Sequence, residues 1–412
     1  MWGANRRLLS RNWLVIALLV LHSSLIIHHA SFSQTLSPSA RATLMTFGPG
    51  EDLYSVFGHT GIRIQDPMLG IDRVYNYGQF DFRTDNFYVK FLRGTLPYQI
   101  GVNDMYTIMY AYQAENRTIR EQVLALSPAQ KQRLFGALET NLLPENREYR
   151  YKFYYDNCAT RPRDMLISAS GDSLSIPSRN RPTGNSYRDW MNKYLGEKPW
   201  AKLGMNLAIG QPADEKTDGW HAMYLPDQVH DQMARATLRQ ANGLAIPLVA
   251  SDQTLFSAQK VFRQQVPFIF DPDVVFTALG IVIALYTVRR YRVAGKVDRW
   301  LDRLLFGISG FLGWFLFLLW VATDHGVTAW NPTLLYLMPL HLPLIYWATG
   351  KTTTARRRTL YFSLTAILTV LGIFLSNVPG GVDVIFPLTL LIRCVINMQP
   401  ARRGYQTPAL ID

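Results

Sequence analysis

Five long apolar runs in the last third of the chain restrict its fold more than any other sequence feature. A helix of about 20 residues crosses the roughly 30 Å of hydrocarbon in a bilayer. Most of the runs reach that length, although the last is short and carries Arg393. We therefore predict a C-terminal α-helical transmembrane bundle of about five helices over residues 266–400, followed by a cytoplasmic tail at 401–412. The runs cover approximately residues 268–288, 304–323, 333–349, 359–376 and 384–398.

Lysine and arginine are distributed unevenly among the loops that join these runs. Basic residues follow the first, third and fifth runs (Arg289–Arg299, Lys351–Arg358, Arg402–Arg403), whereas the loops near Asp324–Asn331 and Asn377–Asp383 contain none. Because basic loops stay in the cytoplasm, we predict an inner-membrane protein with a cytoplasmic C-terminus and its soluble domain outside. These loops also explain much of the net charge of +12, so the charge does not require a nucleic-acid partner.

The N-terminus has the composition of an export signal. Arg6, Arg7 and Arg11 precede an apolar run from Trp13 to about Ile27, which predicts either a signal peptide or a signal-anchor helix within residues 1–33. Small residues just before position 34 make cleavage there feasible. In both cases residues 35–265 are exported, and we interpret them as an extracytoplasmic domain large enough to bury a core.

The chain contains only two cysteines, and one of them lies in the exported part. Cys394 belongs to the last apolar run, so Cys158 has no disulfide partner in the exported domain. A lone cysteine in an oxidising compartment indicates a reactive thiol, while a small buried side chain is the alternative. The polar flanking sequence Tyr155–Arg161 favours the reactive thiol.

We expect Cys158 at a turn between a strand and a helix. The aromatic residues Tyr151–Tyr155 are typical of a strand, and Pro162 fits the first turn of a helix that starts slightly later. The positive end of the helix dipole, together with Arg161 and Arg163, would stabilise a thiolate. The sequence therefore predicts that Cys158 is a nucleophile.

A thiol nucleophile needs a base within hydrogen-bonding reach, and His59 is the candidate. It lies in the segment Tyr54–Ile64, where apolar and polar side chains alternate as in a strand. The alternative is a histidine without catalytic role, either hydrogen-bonded in the core or exposed at the surface. A second predicted strand follows in the chain. It offers Asn76 or Tyr77 to orient the imidazole, as the third member of a catalytic triad does.

Three motifs resemble the periplasmic domain of the Lnb family, the lipoprotein N-acyltransferases known from Bacteroidota. They are Phe57–Arg63, Tyr75–Phe82 and Asp156–Cys158, and the segments Leu203–Asp214 and Met223–Asp227 look like the family's downstream parts. The order of histidine before cysteine also resembles circularly permuted NlpC/papain-like and lecithin–retinol acyltransferase-like enzymes. The resemblance implies an α+β fold, namely a circularly permuted papain-like domain before the transmembrane bundle.

The resemblance also implies a reaction. Cys158 and His59 would be nucleophile and base, with Asn76 as the third member, and an acyl chain would pass from a membrane phospholipid through a cysteine thioester to the N-terminal amine of a diacylated lipoprotein. Two alternatives stay open: a membrane-tethered cysteine peptidase or amidase acting on cell-wall peptides, and a tethered binding domain without activity. His221 would serve as base only in an unpermuted, cysteine-first fold.

Other segments carry weaker signals. The aromatic stretch Phe80–Gly94 is compatible with receiving an acyl chain or contacting a bilayer surface, and equally with core packing. Ser127 and Pro128 predict the start of a helix that runs to about Leu143. His341 lies in an apolar run, where packing is the favoured interpretation over function. No phosphate-binding loop or metal-spaced cluster occurs, so we expect neither a cofactor nor a metal.

Overall fold

The computed structural model describes residues 34–259, 266–295, 297–378 and 380–399, so the predicted export signal and cytoplasmic tail lie outside the described residues. The N-terminal part is rich in strands, and the C-terminal part is helical. The strands are β1 Arg41–Phe47, β2 His59–Asp66, β3 Ile71–Gln79, β4 Pro97–Asp104, β5 Ile119–Leu124, β6 Glu148–Arg150, β7 Leu174–Ser175, β8 Pro182–Ser186, β9 Lys216–Asp218, β10 Thr237–Arg239, β11 Ala245–Pro247 and β12 Val249–Phe256.

The helices of the N-terminal part differ in length from four to fifteen residues. They are α1 Phe87–Leu92, α2 Met105–Ala114, α3 Pro128–Leu142, α4 Thr160–Ser170, α5 Tyr187–Tyr194, α6 Pro199–Ala208, α7 Gly219–Ala222 and α8 Pro226–Arg235. The helix predicted after Ser127 is confirmed as α3, and Ser127 and Gln130 form its capping box. The C-terminal helices are α9 Pro272–Ala294, α10 Arg299–Val321, α11 His341–Ala348, α12 Ala355–Leu375 and α13 Val382–Met398.

A seven-stranded sheet in the order β12-β5-β1-β2-β3-β4-β6 forms the centre of the N-terminal part, and its neighbouring strands are antiparallel. Side chains alternate between the two faces of the sheet. Leu44 and Ile62 pack with helices α3 and α4, whereas Met45 and Phe47 pack with α2. Strand β1 is almost fully buried because both of its faces are covered.

Three helices among the described residues, α9, α10 and α12, are long and apolar enough to cross a membrane. The fifth apolar run forms the shorter helix α13. The expected span at 333–349 is wrong as a single helix, because this run folds as a 3-10 turn followed by the eight-residue α11. Pro339 and Pro343 explain the interruption, since proline lacks an amide donor and disfavours a helical residue before it.

Two polar side chains buried inside the helical domain, Arg393 and His341, have hydrogen-bond partners. Arg393 of α13 bonds the Asp302 carboxylate at 2.7 Å and the Thr287 hydroxyl at 2.9 Å, and the arginine and aspartate side chains are fully buried. His341 is buried as well, and its Nδ1 lies 2.9 Å from the Tyr361 hydroxyl. Pairing of this kind allows an apolar helix to carry an arginine within a bundle.

The loop after α10 joins the two parts of the chain. Asp324 forms an ion pair with Lys152 at 2.7 Å, and its backbone amide donates a hydrogen bond to the Arg93 carbonyl at 2.8 Å. His325 Nε2 contacts the Leu92 carbonyl at 2.9 Å. This end of α10 therefore lies on the same side of the helical domain as the sheet.

Candidate active site

Cys158 lies just before helix α4, and the local sequence explains why the helix starts where it does. The Asn157 side-chain oxygen accepts hydrogen bonds from the backbone amides of Ala159 and Thr160, at 2.8 and 2.9 Å. Pro162 occupies the first turn of the helix, as expected. The strand expected at Tyr151–Tyr155 is wrong, because β6 ends at Arg150 and the intervening residues form a hydrogen-bonded turn.

The Cys158 thiol rests against the ends of β2 and β3. The backbone amide of Thr60 is close enough to the sulfur to lower the pKa of the thiol, and the Tyr151 hydroxyl lies 4.0 Å from the sulfur. Gly78 has a positive φ of 89°, and a Cβ at this position would be 3.3 Å from the Cβ of Cys158. A larger residue at position 78 would be strained and would crowd the cysteine.

His59 is the first residue of β2, directly before the Thr60 amide that contacts the thiol. Its Nε2 lies 3.2 Å from the side-chain oxygen of Asn76 on β3. The Asn76 nitrogen donates to the Val74 carbonyl at 3.1 Å and to Asn103 at 3.3 Å, which leaves its oxygen facing the imidazole. Nε2 therefore carries the proton in the neutral ring, and Nδ1 is the nitrogen free to accept one.

The other sequence candidates lie elsewhere. The Tyr77 hydroxyl donates to the Asn141 side chain at 2.7 Å, so Asn76 and not Tyr77 contacts His59. His221 lies on α7, is exposed, and pairs through Nδ1 with Asp218 at 2.7 Å. The structure thus places the Cys158 thiol, in the turn before α4, near Thr60, which follows His59 on β2, and it gives His221 a different partner.

Arg117 was not apparent from the sequence, yet its charge acts on both residues of the candidate dyad. It precedes β5, donates to the Gly48 carbonyl at 2.9 Å and pairs with Glu115 at 3.0 Å. Its guanidinium lies 4.5 Å from the centre of the Tyr112 ring. Only 5% of Arg117 is exposed, and its Nη2 has no hydrogen-bond partner among the residues that the structure describes.

Burial keeps both reactive groups neutral. Burial raises the pKa of Cys158 to about 11, against smaller opposing effects of Tyr151, Thr60 and Arg117. Burial, together with the charge of Arg117, lowers the pKa of His59 to about 4 despite the hydrogen bond to Asn76. At neutral pH the site therefore holds a thiol and a neutral imidazole, because a charged form loses its hydration in a buried site.

The expectation that Arg161 and Arg163 would stabilise a thiolate is wrong. Arg161 pairs with Asp156 at 2.6 Å and Arg163 with Asp164 at 2.8 Å. Each charge is therefore largely neutralised by a carboxylate. Burial, which the polar flanking sequence does not reveal, determines the pKa of Cys158.

A second hydroxyl group lies beside the cysteine. Tyr149 is buried, and its Oη has no partner within the described ranges. Its ring packs under the Arg161 guanidinium at 3.5 Å, and its oxygen would be 3.9 Å from a Cβ at Gly78. Tyr149 thus offers an unpaired hydroxyl close enough to Cys158 for the two groups to interact electrostatically. In the described part of the chain, no group of three or more His, Cys, Asp or Glu residues could hold a metal ion.

The fold and the site define an integral membrane protein whose β-rich domain holds a partly buried cysteine and histidine close to the same strand. Comparison with known families agrees with this description. The model of the Lnb N-terminal periplasmic domain matches residues 29–192, and that of the Lnb transmembrane domain matches residues 263–403. The chain belongs to the Lnb family, with a periplasmic N-terminal domain and a transmembrane domain. No curated protein and no solved structure matches it.

Proposed function

We propose that this protein is a cysteine acyltransferase that N-acylates diacylated lipoproteins at the outer face of the bacterial inner membrane. The acyl donor is a membrane phospholipid, and the acceptor is the α-amine of the lipoprotein's N-terminal cysteine. One observation carries the proposal. The only cysteine of the periplasmic domain, Cys158, interacts with Thr60 at the start of β2, and the preceding residue, His59, contacts Asn76; the protein itself is built into the membrane that holds both substrates.

In the first step the Cys158 sulfur attacks the ester carbonyl of the phospholipid. Nδ1 of His59 takes the thiol proton as the carbon–sulfur bond forms, because neither group is ionised at rest. The carbon–oxygen bond to glycerol then breaks, and the proton passes from His59 to the departing oxygen. The products are a lysophospholipid and an acyl thioester on Cys158.

In the second step the α-amine of the lipoprotein attacks the thioester. His59 accepts the amine proton and returns it to sulfur as the carbon–sulfur bond breaks, which yields the amide and regenerates the thiol. The amide Oδ1 of Asn76 would hold the imidazole in the tautomer that both steps need.

The charge that develops on the carbonyl oxygen needs donors in place before the reaction. Tyr149 provides an unpaired hydroxyl beside the sulfur, and the amide of Thr60 points at the sulfur. The buried cation of Arg117 favours negative charge in the same region. We propose that Tyr149 stabilises the oxyanion and that Arg117 stabilises the transition state electrostatically.

The chain order supports assignment to the circularly permuted papain-like enzymes. His59 opens an early strand, and Cys158 precedes a later helix that packs on the same sheet. In the papain arrangement the cysteine precedes its helix but comes before the histidine in sequence. The same local geometry in the reverse order is what permutation produces.

Acyl loading tests the proposal. The full-length Cys394→Ser protein should gain one acyl mass on the Cys158 peptide when incubated with phospholipid alone, and neutral hydroxylamine should remove it. A diacylated lipopeptide with a free α-amine should discharge the acyl chain, whereas one with a blocked amine should not. The Cys158→Ser protein is the matched control and should remain unloaded.

The same experiment separates acyl transfer from peptide hydrolysis. A cysteine peptidase with this dyad should take no acyl chain from phospholipid and should instead cleave cell-wall peptides. If no common phospholipid loads Cys158 while such peptides are cut, the acyltransferase is refuted and only the dyad is retained.

A further inference from the structure

An exposed apolar surface surrounds helix α1, and nothing in the reaction described above accounts for it. We call it the aromatic patch, and its members are Phe82, Tyr88, Val89, Phe91 and Leu92. Tyr88 is 81% exposed and Phe91 52% exposed, so core packing does not explain these side chains. Contiguous apolar surface of this kind marks an interaction site. The buried ring of Phe87 lies under the patch and contacts Phe82, Tyr88 and Phe91.

The position of α1 indicates what covers the patch. Its carboxyl end is bonded to Asp324 and His325, directly after the membrane helix α10 ends at Val321. Trp320 and Trp330 are in ring contact at 5.0 Å on either side of this loop. Tryptophan concentrates where hydrocarbon meets water. The aromatic patch is therefore tied to the outer end of the membrane domain, close to the bilayer interface.

A line of aromatic rings leads from the patch to the nucleophile. Phe80 contacts Phe82 at 5.1 Å and Tyr98 at 5.3 Å, and Tyr98 contacts Tyr151 at 4.6 Å. The Tyr151 hydroxyl is 4.0 Å from the Cys158 sulfur. Phe80, Tyr98 and Tyr151 are all partly exposed, so they present a continuous apolar surface between the bilayer end of the domain and the thiol.

We propose that the aromatic patch takes an acyl chain of a phospholipid from the periplasmic leaflet and that the Phe80–Tyr98–Tyr151 surface guides it to Cys158. This inference rests on the proposed function and specifies where the donor lipid enters. An amphipathic aromatic surface gains free energy by lying at the bilayer interface. A chain that stays on aromatic rings avoids exposure to water on its way to the active site.

Photocrosslinking tests lipid binding independently of catalysis. The full-length protein is placed in nanodiscs of phosphatidylethanolamine and phosphatidylglycerol that contain a phosphatidylethanolamine with a diazirine near the end of one acyl chain. We expect label on the membrane helices and also on the peptides that contain α1 and Tyr98. The peptide that contains Met68 should carry no label. Label confined to the membrane helices, or label on α1 that appears only after dilution to monomer because a second copy otherwise covers the patch, would overturn the inference.

Paired variants test the role of the patch in acyl loading. The double variant Tyr88→Asp/Phe91→Asp should slow loading of Cys158 from bilayer phospholipid by about tenfold or more, because a carboxylate cannot enter hydrocarbon without losing its hydration. Met68→Asp changes an equally exposed apolar residue at the opposite end of β2 and should load normally. Alkylation of Cys158 by iodoacetamide should be unchanged in both, which shows that the site is folded.

The outcomes separate this inference from the proposed function. Wild-type loading in the double variant would refute the patch as the lipid entrance and leave the acyltransferase intact. Crosslinking at α1 in a wild-type protein that no phospholipid loads would refute the acyltransferase and retain the patch as a lipid surface.

Discussion

The protonation state of Cys158 in the resting protein can be measured by alkylation with iodoacetamide, which reacts with the thiolate and not with the thiol. Burial moves the pKa of this thiol from 9.0 to about 11. Two pKa units correspond to an about 100-fold smaller thiolate fraction at pH 7. We therefore expect alkylation at pH 7 to be roughly tenfold slower than for an ordinary cysteine, beyond any effect of restricted access, because only the thiolate reacts and a more basic thiolate is the better nucleophile.

The pH profile separates a raised pKa from restricted access of iodoacetamide to the thiol, since access of the reagent does not change with pH. In a Cys394→Ser background the alkylation rate should rise about tenfold per pH unit from pH 6 to 10 without a plateau. An ordinary thiol on the same protein, Met68→Cys in the background Cys158→Ser/Cys394→Ser, should level off above pH 9. Both profiles are followed by mass spectrometry of the modified peptides.

The histidine variant completes this test. If thiol and imidazole are neutral at rest, His59→Ala should leave the alkylation profile of Cys158 nearly unchanged. A rate that is already high and constant between pH 5 and 8, and that collapses in His59→Ala, would reveal a preformed thiolate–imidazolium pair. That result would refute our account of the site, because burial would then not control its protonation.

Three further predictions concern the base, the pH range and the membrane topology. His59→Ala should abolish acyl transfer while His221→Ala should reduce it little, and the reverse ranking in a loading assay would mean that the fold is not permuted. Because the pKa of His59 is about 4 and activity needs the neutral ring, kcat/KM should persist below pH 6 instead of halving near 6.5. Arg117→Met should move this acid limit upward, and an unmoved limit would show that Arg117 does not act on the pKa of His59. A reporter fused after Arg292 should be cytoplasmic and one near Asp324 periplasmic; one inverted reporter would contradict the orientation derived from basic loops.

Local sequence was enough to propose the candidate dyad because its chemistry is visible in short segments. Cys158 stands out as the only cysteine of the exported part, and His59 as the histidine of an alternating strand. The contact between His59 and Asn76 depends on the pairing of two strands that adjoin in sequence, with Gly61 opposite Asn76. A hairpin of this kind brings nearby residues together, so sequence reasoning could reach it.

Arg117 could not be found in this way, because its position depends on distant parts of the chain. Strand β5 pairs with β1, which puts Ile119 opposite Phe47, and Phe47 in turn lies opposite His59. No local pattern records that pairing. The protonation of Cys158 was likewise hidden, since its polar neighbours bond to other groups, Asn157 to the Tyr224 carbonyl and Arg161 to Asp156, and burial determines the pKa of the thiol.

A neutral, buried dyad suits a thiol enzyme that works in an oxidising compartment. A permanent thiolate would react with oxidants between turnovers, and the periplasmic domain has no second cysteine that could rescue Cys158 as a disulfide. Keeping the proton on sulfur until a carbonyl arrives avoids that loss. The cost is a less nucleophilic ground state, which His59 and the donors near the sulfur would offset in the transition state. Lipid substrates are compatible with this arrangement, because an acyl chain that fills the aromatic surface excludes water and strengthens each of these electrostatic contacts.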